Sequence, residues 1–308
     1  MSLARRAPRS HVVDVRGLDY HVLEWGDADA PARVLLHGWM DVAASFQFVV
    51  DAFAGRFRAI APDWQGFGRS GWRTDGYWFP DYVADLDFLL AALAPGQRVH
   101  LVGHSLGANV AMIYAGVRPG NVASVIALDG FGIPSEEPSA QPAKLSAWLD
   151  ALHHPPGFSR YADLAAVADR LQKNNPRLPR DKAAYLAGEW AEALPDGEAR
   201  LRADPRHKLP FPTVYRIDEI EAIWRAISAP VLWVKAAEST IPRWVAADRD
   251  PDAEIARRMA NVRGARLVTV ADAGHMLHHD RPDEVARIVD AFVAEAEAVI
   301  PAKAGIQK

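Results

Sequence analysis

Apolar and polar positions divide the chain into two textures. Short runs at 32–36, 57–61, 99–102, 122–128, 231–234 and 266–270 are wholly or mostly apolar. Such runs read as strands buried on both faces, as in a parallel sheet covered by helices. Two more runs, 11–15 and 20–25, flank Arg16-Gly17-Leu18-Asp19 and predict an opening antiparallel hairpin. Between the strands, helical spacing recurs at 46–53, at 108–115, at 253–260 and at 282–297. It also recurs in Tyr82, Leu86, Leu89, Leu90 and Leu93, where Pro80-Asp81 suits a helix start. The expected fold is α/β: a mostly parallel eight-stranded sheet with helices on both faces.

From 133 to 227 the texture changes. No strand-like run occurs there; helical stretches at 143–152, 161–173, 182–194 and 217–227 are separated by prolines. This predicts a helical cap (133–227) inserted after the sixth strand into a core made of 1–132 and 228–300. Residues 301–308 are expected to be a disordered tail.

Open parallel sheets bind ligands at the carboxyl ends of their strands. His37-Gly38-Trp39, Asp63, Ser105 and Asp129 each follow a predicted strand, so they are expected along one edge. Gly103-His104-Ser105-Leu106-Gly107 ends an apolar strand and opens a helix, the arrangement of a nucleophile elbow. It exposes Ser105 and sets the Leu106 N–H where an oxyanion would form. A serine needs a base, and His275 stands late in the chain in a loop after the last strand. His278 and His279 lack a carboxylate at metal-ligand spacing and are read as surface or supporting residues, so no metal is expected.

Four pieces in this order resemble the α/β-hydrolase superfamily with a helical cap: His37-Gly38-Trp39, Asp63 to Ser70, Gly103 to Gly107, and Ala273-Gly274-His275. The stretch from His37 to Phe46 resembles its serine-hydrolase-like branch. The resemblance spans roughly residues 11–298. It implies a second oxyanion donor in the N–H of Trp39, with no cofactor. It also implies a triad acid, and here this chain departs from the usual pattern: nine residues beyond Pro230 stands Ser239. Glu238 is one residue short; Asp129, in the family's other acid position, is preferred because rigid strand ends position groups better than loops. Relatives acting through an alkyl-enzyme carry aspartate at the elbow, so Ser105 favours acyl transfer. The implied activity is hydrolysis of an ester or related acyl bond in a small to medium apolar molecule. Alternatives are carbon–carbon hydrolysis of a diketone-type acid, with Arg160, Arg177 or Arg202 holding a carboxylate, and a non-catalytic binding protein. Trp148, Trp190, Trp224, Leu145 and Tyr161 are candidate pocket residues.

Composition narrows the partners. A formal charge of −4 gives no basic field for nucleic acid or anionic lipid. The chain has no cysteine, which excludes disulfides and a thiolate nucleophile. No apolar run reaches the roughly 20 residues of a membrane span, and the start shows no secretory signal. A cytoplasmic protein with a small-molecule substrate is expected.

Overall fold

The computed structural model describes residues 6–299. Eight strands form one sheet: β1 (Arg9–Val15), β2 (Leu18–Gly26), β3 (Ala32–Leu36), β4 (Arg58–Pro62), β5 (Val99–His104), β6 (Val122–Leu128), and, beyond the insertion, Val231–Ala236 and Arg266–Val270. The insertion contributes two short strands of its own, β7 (Ala191–Ala193) and β8 (Ala199–Leu201), so the last two sheet strands are β9 and β10. Their order across the sheet is β1-β2-β4-β3-β5-β6-β9-β10. β1–β2 and β2–β4 pair antiparallel and the remaining neighbours parallel. This is the expected architecture. The chain runs from β3 outward to β4 and returns to β5 on the other side of β3, so a crevice opens at their carboxyl ends.

Strand pleat assigns side chains to two cores. Val34 and Leu36, Val99 and Leu101, and Val125 and Ala127 point to one face. Leu35, Val102, Ile126 and Leu128 point to the other. The first face is covered by α2 (Phe79–Leu93) and α3 (Leu106–Val117); the second by α1 (Gln47–Ala52) and the last helix, Pro282–Val299. Proline in the first turn of α2 fits because that turn's N–H groups have no intrahelical acceptor.

The insertion holds α4 (Gln141–His153), α5 (Leu164–Asn174), α6 (Arg180–Trp190), the β7–β8 hairpin and α7 (Ile217–Trp224). The hairpin corrects the expectation of an all-helical segment. At three residues each, its strands are too short to register as an alternating run, and the helix expected at 182–194 overshoots into it. Tyr161, expected in a helix, pairs with Ala199 beside β8 instead. α5, α6 and the hairpin enclose a separate small core of Val167, Leu171, Leu178, Leu186 and Ala199. α4 buries no residue. α7 packs on α3, and its Trp224 belongs to the first sheet core.

Backbone bonds tie the insertion to the sheet. Gly68 N–H donates to Arg202 C=O and Asp204 N–H to Gly66 C=O, each at 2.8 Å, around a bridge between Phe67 and Ala203. Further contacts reach strand-end loops: Asn175 Nδ2 donates to Asp280 Oδ1 (2.7 Å), and Trp190 Nε1 to Asp41 Oδ1 (3.2 Å). The α5–α6 unit therefore stands over the carboxyl edge of the sheet. After it come α8 (Ile241–Ala246), α9 (Pro251–Met259), α10 (Leu277–Asp280) and α11, the last helix. Among the described residues no helix is long and apolar enough to cross a membrane. The expected tail, 301–308, lies outside the described residues.

Candidate active site

Six non-glycine residues take positive φ among the described residues, and four of them stand in loops after parallel strands: Met40 after β3, Ser105 after β5, Asp129 after β6 and Asp272 after β10. Left-handed backbone at bulky or acidic residues costs energy and is retained where surroundings force it, commonly at functional sites. At Ser105 (φ 52°, ψ −112°) the forcing is visible. A Cβ at Gly107 would come 2.0 Å from Leu36 C=O, and one at Gly103 would come 2.3 Å from Gly107 C=O. Only glycine lets β5, α3 and β3 approach so closely, and the turn between them carries Ser105 outward. Ser105 N–H donates to Leu128 C=O at 3.0 Å, which fixes the elbow to β6.

Ser105, His275 and Asp129 meet. Ser105 Oγ lies 3.1 Å from His275 Nε2, and His275 Nδ1 lies 2.7 Å from Asp129 Oδ2. A carboxylate oxygen accepts, so Nδ1 carries hydrogen and Nε2 turns its lone pair toward the serine. Asp129 is fully buried; Ser105 and His275 are partly accessible. The acid is held on every side. Its N–H donates to Val234 C=O (2.8 Å), and its Oδ1 accepts from Ala236 N–H (3.2 Å). Its Oδ2 also accepts from the Ser239 hydroxyl, whose oxygen in turn accepts from Ile241 N–H at 3.1 Å. Glu238 stands apart, half exposed and paired with Arg177.

The loop after Asp129 has its own anchor. Arg258, 2% exposed, donates to Phe131 C=O (2.9 Å) and Ile133 C=O (3.0 Å) and pairs with Glu254 at 2.7 Å. Guanidinium bonds from Arg257, and then those from Arg258 and Arg249, outweigh burial and hold Glu254 down to about 2. The donor loop after β3 lies against the serine, since a Cβ on Gly38 would sit 3.3 Å from Ser105 Cβ. Trp39, next in that loop, is exposed; Leu106 begins α3, where the first N–H groups lack intrahelical acceptors. His37 and Asp63 brace the loops. Trp64 N–H donates to His37 Nε2 (2.8 Å), and Asp63 accepts from Ala43 N–H (2.7 Å) and Arg69 N–H (2.9 Å).

A model of the alpha/beta hydrolase family matches residues 34–288. The chain belongs to the α/β hydrolase family. This α/β hydrolase is 27% identical over 276 residues to a serine hydrolase-like protein of Danio rerio, covering 87% of this chain and 83% of that one. It is 31% identical to the 3-hydroxybutyrate-oligomer hydrolase of Cupriavidus necator over 282 residues, 87% of this chain and 89% of that one. Among solved structures it is similar to a hypothetical protein of Pseudomonas aeruginosa, with a TM-score of 0.81 at 27% identity. That likeness covers 92% of this chain and 99% of the other.

Some expectations about this α/β hydrolase need correction. His278 and His279 are not surface residues: they are 0% and 3% exposed, because α10 turns both rings inward against Ser45, His278 meeting Phe46 and His279 meeting Phe48. Trp224 is in the sheet core, against Trp233, and Leu145 is exposed on α4. Trp148 lies against Trp78 at 6.1 Å between ring centres. Trp190 does line a narrow cleft with Met40 and Phe67 beneath the insertion. Sequence reasoning missed the Ser239 hydroxyl as a partner of the acid, although the resemblance had marked that very position.

Proposed function

We propose that this α/β hydrolase cleaves esters or related acyl bonds of small to medium apolar molecules through an acyl-enzyme on Ser105. The observation that carries the reading is the unbroken line from Ser105 Oγ through His275 to Asp129, at 3.1 and 2.7 Å. Ser105 Oγ attacks the carbonyl carbon while His275 Nε2 takes its proton. The oxyanion rests on the N–H groups of Trp39 and Leu106. Collapse expels the alcohol, which receives the proton from His275. Water repeats the sequence: His275 takes its proton, its oxygen attacks the acyl carbon, and Ser105 leaves with that proton. Asp129 holds the ring and stabilises the imidazolium.

The esterase-type names of relatives such as the 3-hydroxybutyrate-oligomer hydrolase agree with this chemistry. The carbon–carbon alternative needs an arginine for the substrate carboxylate, but each candidate already has an acidic neighbour. Arg160 contacts Asp196 and Glu198, Arg177 contacts Glu238, and Arg202 lies 4.0 Å from Glu192. The Asp129 carboxylate at His275 Nδ1 supports the enzyme over the binding-protein alternative.

A fluorophosphonate probe with intact-mass detection tests the reading. One adduct per chain, lost in Ser105→Ala, is expected, together with turnover of short-chain p-nitrophenyl esters. An unlabelled wild-type chain would sink it.

A further inference from the structure

Six buried side-chain atoms lack a hydrogen-bond partner among the described residues, and three of them, Asp41 Oδ2, His104 Nδ1 and His278 Nδ1, belong to residues that cluster beneath the elbow. Their residues are 3%, 2% and 0% exposed and each offers a donor atom within 4.8 Å of the other two. The cluster sits between the loop after β3, the elbow and α10, three segments far apart in sequence.

His104 and Asp41 are already oriented by their other atoms. His104 Nε2 donates to His275 C=O at 2.8 Å, which leaves Nδ1 with a free lone pair. A backbone carbonyl on the far nitrogen is how proteins aim a histidine at a metal. Asp41 Oδ1 accepts from Trp190 Nε1, leaving Oδ2 free, and that oxygen lies 3.7 Å from His278 Nε2. Glycine at position 38 keeps room beside His104, since a Cβ there would come 2.9 Å from Nδ1. A buried carboxylate oxygen and a buried imidazole lone pair in one cluster are both acceptors, and a cation satisfies both.

We propose that Asp41, His104 and His278 form an inhibitory site for a divalent transition-metal ion. Two imidazoles and one carboxylate suit borderline ions such as Zn²⁺ or Cu²⁺. Bonds of about 2.0–2.2 Å require donors roughly 3.4 Å apart, so binding draws the three together. His104 moves with them, pulling on the carbonyl of His275 and on a ring whose centre lies 4.6 Å from that of His275. Turnover then falls. This ion is an effector, not a cofactor of the hydrolysis. Its inhibitory effect rests on the hydrolase reading; its binding does not.

Chelator-treated protein titrated with Co²⁺, read by the visible absorption of bound cobalt and by equilibrium dialysis, tests the site. One ion per chain is expected, displaced by Zn²⁺, with affinity reduced about 100-fold or more in Asp41→Asn and in His278→Gln. Ser105→Ala and His275→Ala should bind as wild type. So should His279→Gln, which also controls for damage to the fold in this region, with circular dichroism checking each variant. Undiminished binding in folded Asp41→Asn and His278→Gln would overturn the proposal. Loss in His275→Ala would also overturn it by placing the ion on the triad. No binding at millimolar Co²⁺ would likewise overturn it. If the ester assay is silent while cobalt binds, the site stands and only the hydrolase reading fails.

Discussion

The loops at the carboxyl edge of the sheet and helix α4 embody opposite strategies. In the loops, the strained backbone at Ser105 and Asp129 is held by bonds to Leu128 and Val234, and the segment after it by Arg258 bonds to Phe131 and Ile133. Helix α4 buries nothing, and Leu145, Leu149 and Leu152 remain 43–48% exposed on it. The proposed chemistry thus rests on the rigid sheet, whereas α4 is held by polar bonds, Gln141 to Pro212 and Val214, and Lys144 to Glu136, and buries no side chain. Chemistry should therefore be sensitive to single atoms, and α4 indifferent to whole side chains.

The largest effect tests the loops directly. Asp129→Asn should lower kcat about 10⁴-fold, by leaving the imidazole in the wrong tautomer, whereas Glu238→Gln should stay within twofold. Steady-state ester kinetics decide, and a reversed pattern would move the acid to the other strand. Next, the insertion can be divided against itself. Leu186→Ala, in the α5–α6 core, should cost about 2–5 kcal/mol in urea unfolding, and Leu149→Ala on α4 less than about 0.5 kcal/mol.

A third test weighs the anchor behind Asp129. Glu254→Gln leaves the Arg258 charge buried with its carboxylate partner gone and should cost about 3 kcal/mol. The folded-state value of Glu254, about 2, lies below the ordinary 4.5. Its contribution is therefore full above 4.5 and fades as pH falls toward 2. Thermal melts across that window should converge between wild type and Glu254→Gln. The smallest effect is Ser239→Ala, which removes one bond to the acid. It should lower kcat about tenfold with KM unchanged, since about 1.4 kcal/mol of orientation is at stake.

What could be read from the chain follows from what needs only local order. A buried parallel strand must be apolar on both faces, so 32–36 and 122–128 announced themselves, and β3 and β6 match those ranges. Gly-x-Ser-x-Gly is legible as a strand-turn-helix junction, where Gly103 answers to Gly107 a few residues away, although Gly107 answers to Leu36 on β3. The Asp129–His275 pairing could be anticipated from strand ends that share an edge. β7 and β8 could not, since three residues carry no period. Nor could the burial of His278: its place depends on Ser45, Phe46 and Asp41, more than two hundred residues earlier. Asp41 belongs to His278 in space alone, which is why the histidine cluster seemed to lack a carboxylate.

The bonds joining Gly66 and Gly68 to Asp204 and Arg202 have a consequence for traffic. A panel riveted to its frame is a jamb and not a door. Entry to the serine must be shaped by this fixed post. Selectivity by size is then a property of the doorway, open to change without retuning the reaction behind it.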